Sequence, residues 1–177
     1  MATSDYKCLA SGFESGITAL ELEAAGNTAI TATGAISGTY SLLMDFSVAV
    51  TSNTYRWTNG EPDGYVVLPF TFHFKLKFDI APAEQVPLVI LGYSGVTTNP
   101  TVFLNTNGSL TLKHGGLNVT TTLLLSANTT YTVEVRHAVN DKTYLRVNGA
   151  NEVSIAYMAI GIPPRVMGGL DIGKGDG

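Results

Sequence analysis

Cysteine is almost absent from the 177-residue sequence. Cys8 stands alone, so no internal disulfide can staple the fold and no thiolate cluster can hold a metal. The ordinary role of such a residue is a small buried apolar side chain, and nothing beside it in the sequence marks a reactive thiol. Charge is scarce too. There are 10 Lys and Arg against 14 Asp and Glu, a net charge of −4, and the cations are scattered singly. A phosphate-tracking stripe is therefore missing, and nucleic acid is not an expected partner. No apolar run approaches the roughly 18 residues of a membrane helix, so no membrane span is expected. The opening MATSDYKCLASG has neither the basic nor the apolar region of a signal peptide, which predicts a soluble protein made without a secretion signal. On that expectation the sequons at Asn107, Asn118 and Asn128 are by-products of Thr- and Asn-rich strands and turns.

Helical periodicity is nearly missing as well. Its best candidate, ITALELEAAG, equally fits a strand with Leu20 and Leu22 on one face. What the sequence has instead is alternation. In TYSLLMDFSVAV, Tyr40, Leu42, Met44, Phe46, Val48 and Val50 fall on every second position. In FTFHFKLKF, Phe70, Phe72, Phe74, Leu76 and Phe78 do so, leaving Thr71, His73, Lys75 and Lys77 to face water or a polar partner. His73 is accordingly expected to be solvated rather than catalytic.

TVFLNTNGSLTLKHGG predicts a hairpin of Thr101–Asn105 with Ser109–Lys113, closed by Asn107-Gly108 with positive φ at both turn positions. VTTTLLL follows, then TYTVEVRHA, where Tyr131, Val133 and Val135 oppose Thr132, Glu134 and Arg136. TYLRVNG then turns Leu145 and Val147 inward and ends on a second Asn-Gly. Thr51–Leu68 is the least regular region and reads as a loop or broken hairpin with a turn at Pro62-Asp63-Gly64. With 45% hydrophobic residues and no repeat or linker, the expectation is one domain over 1–177. It is an all-β, two-sheet antiparallel sandwich of about a dozen strands, with a short Gly-rich tail from about residue 173.

GFESG, GTYSLLMDF, FTFHFKLKF, VFLNTNGSLTL, TTYTVEVRH and YLRVNG, in this order from about Phe13 to Gly173, resemble the concanavalin A-like, laminin-G-like jelly-roll domains. The likeness is to the short versions found in tailed-phage and prophage structural proteins. It implies a jelly roll and a non-enzymatic structural or adhesion module, such as a capsid-decoration or tail-fibre component of a virion. Such a module assembles in the host cytoplasm with capsid or tail proteins, forms a homo-oligomer and contacts cell-surface glycans. A free-standing lectin-like domain, extracellular or on a cell surface, is the alternative, and a polysaccharide hydrolase or lyase the second. In similar sequences a strand such as LDIGK is followed by a further segment with a closing strand, so either this fold closes without that strand or its edge is covered by something else, a role that a neighbouring subunit or larger assembly would fill.

Candidates for chemistry are thin. Glu21 and Glu23 share a strand face, but the acidic strand motif of glucanases resembling this fold is missing. Glu61 and Asp63 straddle a proline in a turn. A lyase base would have to be His73, His114 or His137, which lie on separate strands with no uniting motif. The expectation is therefore no enzyme. For sugar binding, Tyr55, Arg56, Trp57, Asn59, Glu61, Asp63 and Tyr65 gather flat aromatics, an amide, an Arg and carboxylates within a short stretch, although Trp57 and Tyr65 equally suit a core. For calcium, Asp171 and Asp176 near Gly173 and Gly175 are two carboxylates without the dense oxygen ligands of a specific loop, with Asp5 or Glu14 as conceivable supplements. No cofactor is otherwise expected.

Overall fold

The structure, a computed structural model, describes residues 22–25, 28–32, 41–44, 53–57, 70–91, 100–137, 141–156 and 170–174. These hold thirteen strands: β1 (Leu22–Ala25), β2 (Thr28–Thr31), β3 (Ser41–Met44), β4 (Asn53–Trp57), β5 (Phe70–Leu76), β6 (Val86–Leu91), β7 (Thr101–Leu104), β8 (Leu110–His114), β9 (Leu117–Thr120), β10 (Tyr131–His137), β11 (Lys142–Val147), β12 (Ala150–Ala156) and β13 (Leu170–Lys174). A seven-stranded sheet runs β1-β4-β13-β6-β7-β8-β9, a four-stranded sheet runs β12-β11-β10-β5, and β2 pairs with β3. Every ladder is antiparallel.

Period-two alternation builds the core between the two larger sheets. Val89, Val102, Leu104, Leu110 and Leu112 come from the seven-stranded sheet, and Val133, Val135, Leu145, Val147 and Ile155 from the four-stranded one. Phe72, Phe74, Leu76 and Phe78 pack against this cluster, while Thr71, His73, Lys75 and Lys77 are exposed, as their alternation requires. Along one side β12 packs against β9 and β8. Pro87 lies in an interior strand, and the register of β6 with β7 shifts between Pro87 and Val89. A proline has no ladder donor and is tolerated in a sheet at such an irregularity.

Three expectations need correction. The irregular stretch Thr51–Leu68 contains β4, an interior strand between β1 and β13. Its alternating Tyr55 and Trp57 against Thr54 and Arg56 is a strand pattern that the neighbouring turn residues obscured. β13, whose edge was expected either to be closed within the fold or to be covered by something else, is also interior, paired to β4 on one side and β6 on the other. The edge argument for a neighbouring subunit therefore falls. VTTTLLL is strand only to Thr120. Thr121 then leaves the ladder, its amide donating to Leu110 O and its hydroxyl to Leu123 O.

The third correction is the Asn107-Gly108 turn. Of this pair Gly108 alone has positive φ, at 84°. The β7–β8 loop spans residues 105–109, with Gly108 N donating to Asn105 O and Asn105 N to Ser109 O. Asn107 instead accepts from Ser109 N and Ser109 Oγ through its side chain, which fixes a longer loop with glycine in the left-handed position. The tight two-residue form occurs at Asn148-Gly149, where φ is 51° and 71° and Val147 pairs with Ala150.

Candidate functional site

The outward face of the four-stranded sheet carries most of the charged groups whose side chains the structure describes. One row crosses all four strands. Glu134 on β10 lies between His73 on β5, with Oε2 3.5 Å from His73 Nδ1, and Arg146 on β11, with Oε1 3.7 Å from Arg146 Nη1. Arg146 reaches on to Glu152 of β12, donating from Nε at 3.1 Å and also from Nη2. The hydrogen bond to Glu152, followed by its charge, raises the Arg146 pKa further. These are solvent-screened pairs that order the surface more than they stabilise it.

The adjacent row is Thr71, Arg136, Tyr144 and Ser154. The Arg136 guanidinium sits 4.2 Å from the Tyr144 ring centroid, and the Tyr144 hydroxyl donates to Asp141 Oδ2 at 2.8 Å. That hydrogen bond, ahead of burial, raises the Tyr144 pKa, so the phenol stays neutral and its ring carries the cation. An aromatic ring, two guanidiniums, an imidazole and carboxylates thus share one exposed antiparallel face.

The opposite outward face, on the seven-stranded sheet, is different. Asn105 Nδ2 donates to Ser109 Oγ and Thr111 Oγ1, and Thr111 bonds Thr120. Gln85 donates to Asn105, while Lys113 donates to Gln85 Oε1 and lies 4.4 Å from the Phe103 ring centroid. Its polar groups are largely committed to one another.

A second polar cluster lies inside. His114 on β8, His137 on β10 and Thr143 on β11 have no solvent exposure. Thr143 Oγ1 is 3.0 Å from His114 Nδ1 and 2.8 Å from His137 Nδ1, and the rings meet edge to face with centroids 5.1 Å apart. A hydroxyl has one hydrogen, so Thr143 donates to one Nδ1 and accepts from the other, which holds the two imidazoles in complementary tautomers. Burial, with the nearby His137 second, lowers the His114 pKa to about 4, and burial lowers that of His137. Both rings are neutral at pH 7, bridging the sheets within the core.

Of the residues expected from sequence to bind glycan, Tyr55, Arg56 and Trp57 lie on β4; Asn59, Asp63 and Tyr65, like Glu61, lie outside the described residues. Arg56 sits in register between Glu23 of β1 and Asp171 of β13. Tyr55 shares its row with Ile172, which pairs with the buried Val89. For the calcium expectation, Asp171 is in strand β13 and Asp176 is outside the described residues, as are Asp5 and Glu14. Among the described residues no cluster of three or more His, Cys, Asp or Glu could hold a metal ion. Among the described residues there is no helix long and apolar enough to cross a membrane.

His73, which the sequence leaves with two other isolated histidines, is exposed, while His114 and His137 come together. The signal was parity: His114 follows Leu110 and Leu112, and His137 follows Val133 and Val135, at even spacing. Sequence reasoning also missed Tyr144, Arg146 and Glu152, although the outward set Thr132, Glu134 and Arg136 was legible beside them.

No protein-family model matches the sequence, and no curated protein matches it. Solved structures do. The Bacillus subtilis carbohydrate-binding module CBM66 superimposes with a TM-score of 0.53 at 9% identity, covering 86% of this chain and 87% of that one. The CBM40 of a Ruminococcus gnavus IT-sialidase, bound to α2,3-sialyllactose, gives 0.47 at 13% identity over 60% of this chain and 63% of its own. Mouse laminin α1 domains LG4-5 give 0.41 at 12% identity over 77% of this chain and 37% of theirs. The chain thus spans a little under two thirds of the Ruminococcus module. With the topology above, the match to CBM66 places the chain among antiparallel jelly-roll β-sandwiches of the concanavalin-like kind.

Proposed function

We propose that the protein is a non-enzymatic carbohydrate-binding module whose ligand surface is the outward face of the four-stranded sheet. The observation that carries this is the exposed row of Arg136 stacked on Tyr144, next to the ladder of His73, Glu134, Arg146 and Glu152. Flat aromatics and fixed donors and acceptors are what a sugar ring and its hydroxyls require. The shared fold with a carbohydrate-binding module supports the reading. The test is retention on immobilised glycans. Tyr144→Ala should weaken binding by roughly tenfold or more, with the far-ultraviolet spectrum unchanged. If Trp57→Ala weakens it and Tyr144→Ala does not, the ligand surface lies around β4 instead. No binding to any glycan, or release of new reducing ends from a polymer, defeats the proposal.

The finer reading, a virion component assembled with capsid or tail proteins as a homo-oligomer, rests on the resemblance of its motif order to phage jelly rolls. Native mass across a concentration series, with calcium and with chelator, tests it. A stable oligomer indifferent to chelation supports an assembly component, and a monomer throughout speaks for the free-standing module.

A further inference from the structure

We infer that Arg136 is a carboxylate-binding group on this face, so that the ligand is an acidic sugar of the uronic-acid type. The inference rests on the carbohydrate-binding reading and narrows it. Each other described guanidinium or imidazole on the sheet is engaged: His73 lies beside Glu134, and Arg146 is held by Glu134 and Glu152. Arg136 has no carboxylate within ion-pairing distance among the described residues; there it lies over the Tyr144 ring. Asp141, the acidic group bound to that tyrosine, accepts from the hydroxyl.

A guanidinium stacked on a ring keeps its N–H donors in a plane along the ring face, directed away from the π system. Two of those donors match the two oxygens of a carboxylate. Stacking removes much of the rotamer freedom that an exposed Arg would lose on binding. A flexible cation such as the exposed Lys75 offers charge without that planar fork. The surroundings select the class of anion. Asp141, Glu134 and Glu152 lie on the same face, and the chain has a net charge of −4, so a doubly charged phosphate meets more repulsion than a single carboxylate.

The remainder of the row suits a sugar. Thr71 and Ser154 carry hydroxyls at its two ends, and Tyr144 donates its own hydrogen to Asp141, leaving the phenol oxygen as an acceptor for a ligand hydroxyl. Four strands spaced about 4.8 Å apart make the row about 14 Å long, which is room for an oligosaccharide rather than a single ring.

Calorimetric titration of the full chain with an oligogalacturonate, and with the neutral galactose oligosaccharide of the same length, tests the assignment. The acidic ligand should bind at least roughly tenfold more tightly, the scale of one charge-assisted pair, and its binding should weaken with added salt. Arg136→Gln should erase the preference, and Arg136→Lys should restore it only in part, because the charge returns without the fork. Equal binding of both oligosaccharides, or a preference that survives in Arg136→Gln, overturns the inference and leaves the carbohydrate-binding reading standing. If neither these ligands nor any immobilised glycan binds, both fall together.

Discussion

At the scale of single residues, Gly108 and Gly149 separate two reasons for a glycine. Both have positive φ, 84° and 71°. A β-carbon at Gly108 would lie 2.5 Å from the carbonyl oxygen of Leu125, whereas one at Gly149 meets nothing within 4 Å. The close approach is part of the structure, since Leu125 N donates to Gly108 O at 2.9 Å, tying the 121–130 segment to the β7–β8 turn. Gly149→Ala bears only the conformational cost, about 1 kcal/mol. Gly108→Ala adds a backbone collision that no rotamer can relieve and should cost roughly 2 kcal/mol or more. Urea midpoints of the two variants measure the difference, and equal losses would show that Leu125 gives way freely. From sequence the two Asn-Gly pairs look identical. What separates them is the side chain of Asn107, held by Ser109, and a contact from 17 positions downstream.

At the scale of elements, the strands legible in the sequence are those whose two faces meet different surroundings. β10 alternates fully between buried and exposed or half-buried positions, so its register could be read from residue type alone. β4 was harder because it is short, set beside Asn, Gly and Pro residues and interior to a sheet, where flanking strands supply the stability that pattern does not advertise; LDIGK was legible as a strand, but its place between β4 and β6 was not. The outward binding face was half legible. Glu134 and Arg136 announced their side of β10, but Tyr144 could be placed next to Arg136 only once the β10–β11 register was known. Strand β10 also offers a direct test of inward against outward positions. Val135 has no exposure and lies in register between Phe72 and Leu145. Val135→Ala should cost roughly 1–3 kcal/mol by leaving a cavity. Its neighbour Glu134 makes only solvent-screened pairs, so Glu134→Gln should change stability by less than about 1 kcal/mol. Comparable losses in the two denaturation curves would mean that the charged ladder contributes structure and not only surface order.

At the scale of the whole molecule, the buried histidines join what the hydrophobic core also joins. Thr143 and His137 belong to the four-stranded sheet and His114 to the seven-stranded one, so their bridge spans the interface between sheets. Parity showed each histidine to be inward; that the two would meet across the sandwich depended on how the sheets stack, which no local pattern encodes. Burial keeps both rings neutral, and this sets a pH dependence. In the unfolded chain His114 titrates near its ordinary value of 6.5, and in the fold near 4. Between those values the unfolded state binds more protons than the folded one, so stability rises with pH there. It is complete above about pH 6.5, falls as the pH drops toward 4, and levels off below, a loss on the order of 3 kcal/mol from His114 alone. His137, shifted the same way, adds to the slope, and because the two rings repel when charged they titrate as a pair. Carboxylates contribute little between about pH 5.5 and 7, so urea unfolding across that window isolates the histidines. His114→Gln preserves size and hydrogen-bonding ability without the titration, and its unfolding free energy should vary less steeply across the window than that of the wild type. A slope equal to the wild type's would mean that the bridge does not govern acid stability and that the sheets separate at low pH for another reason.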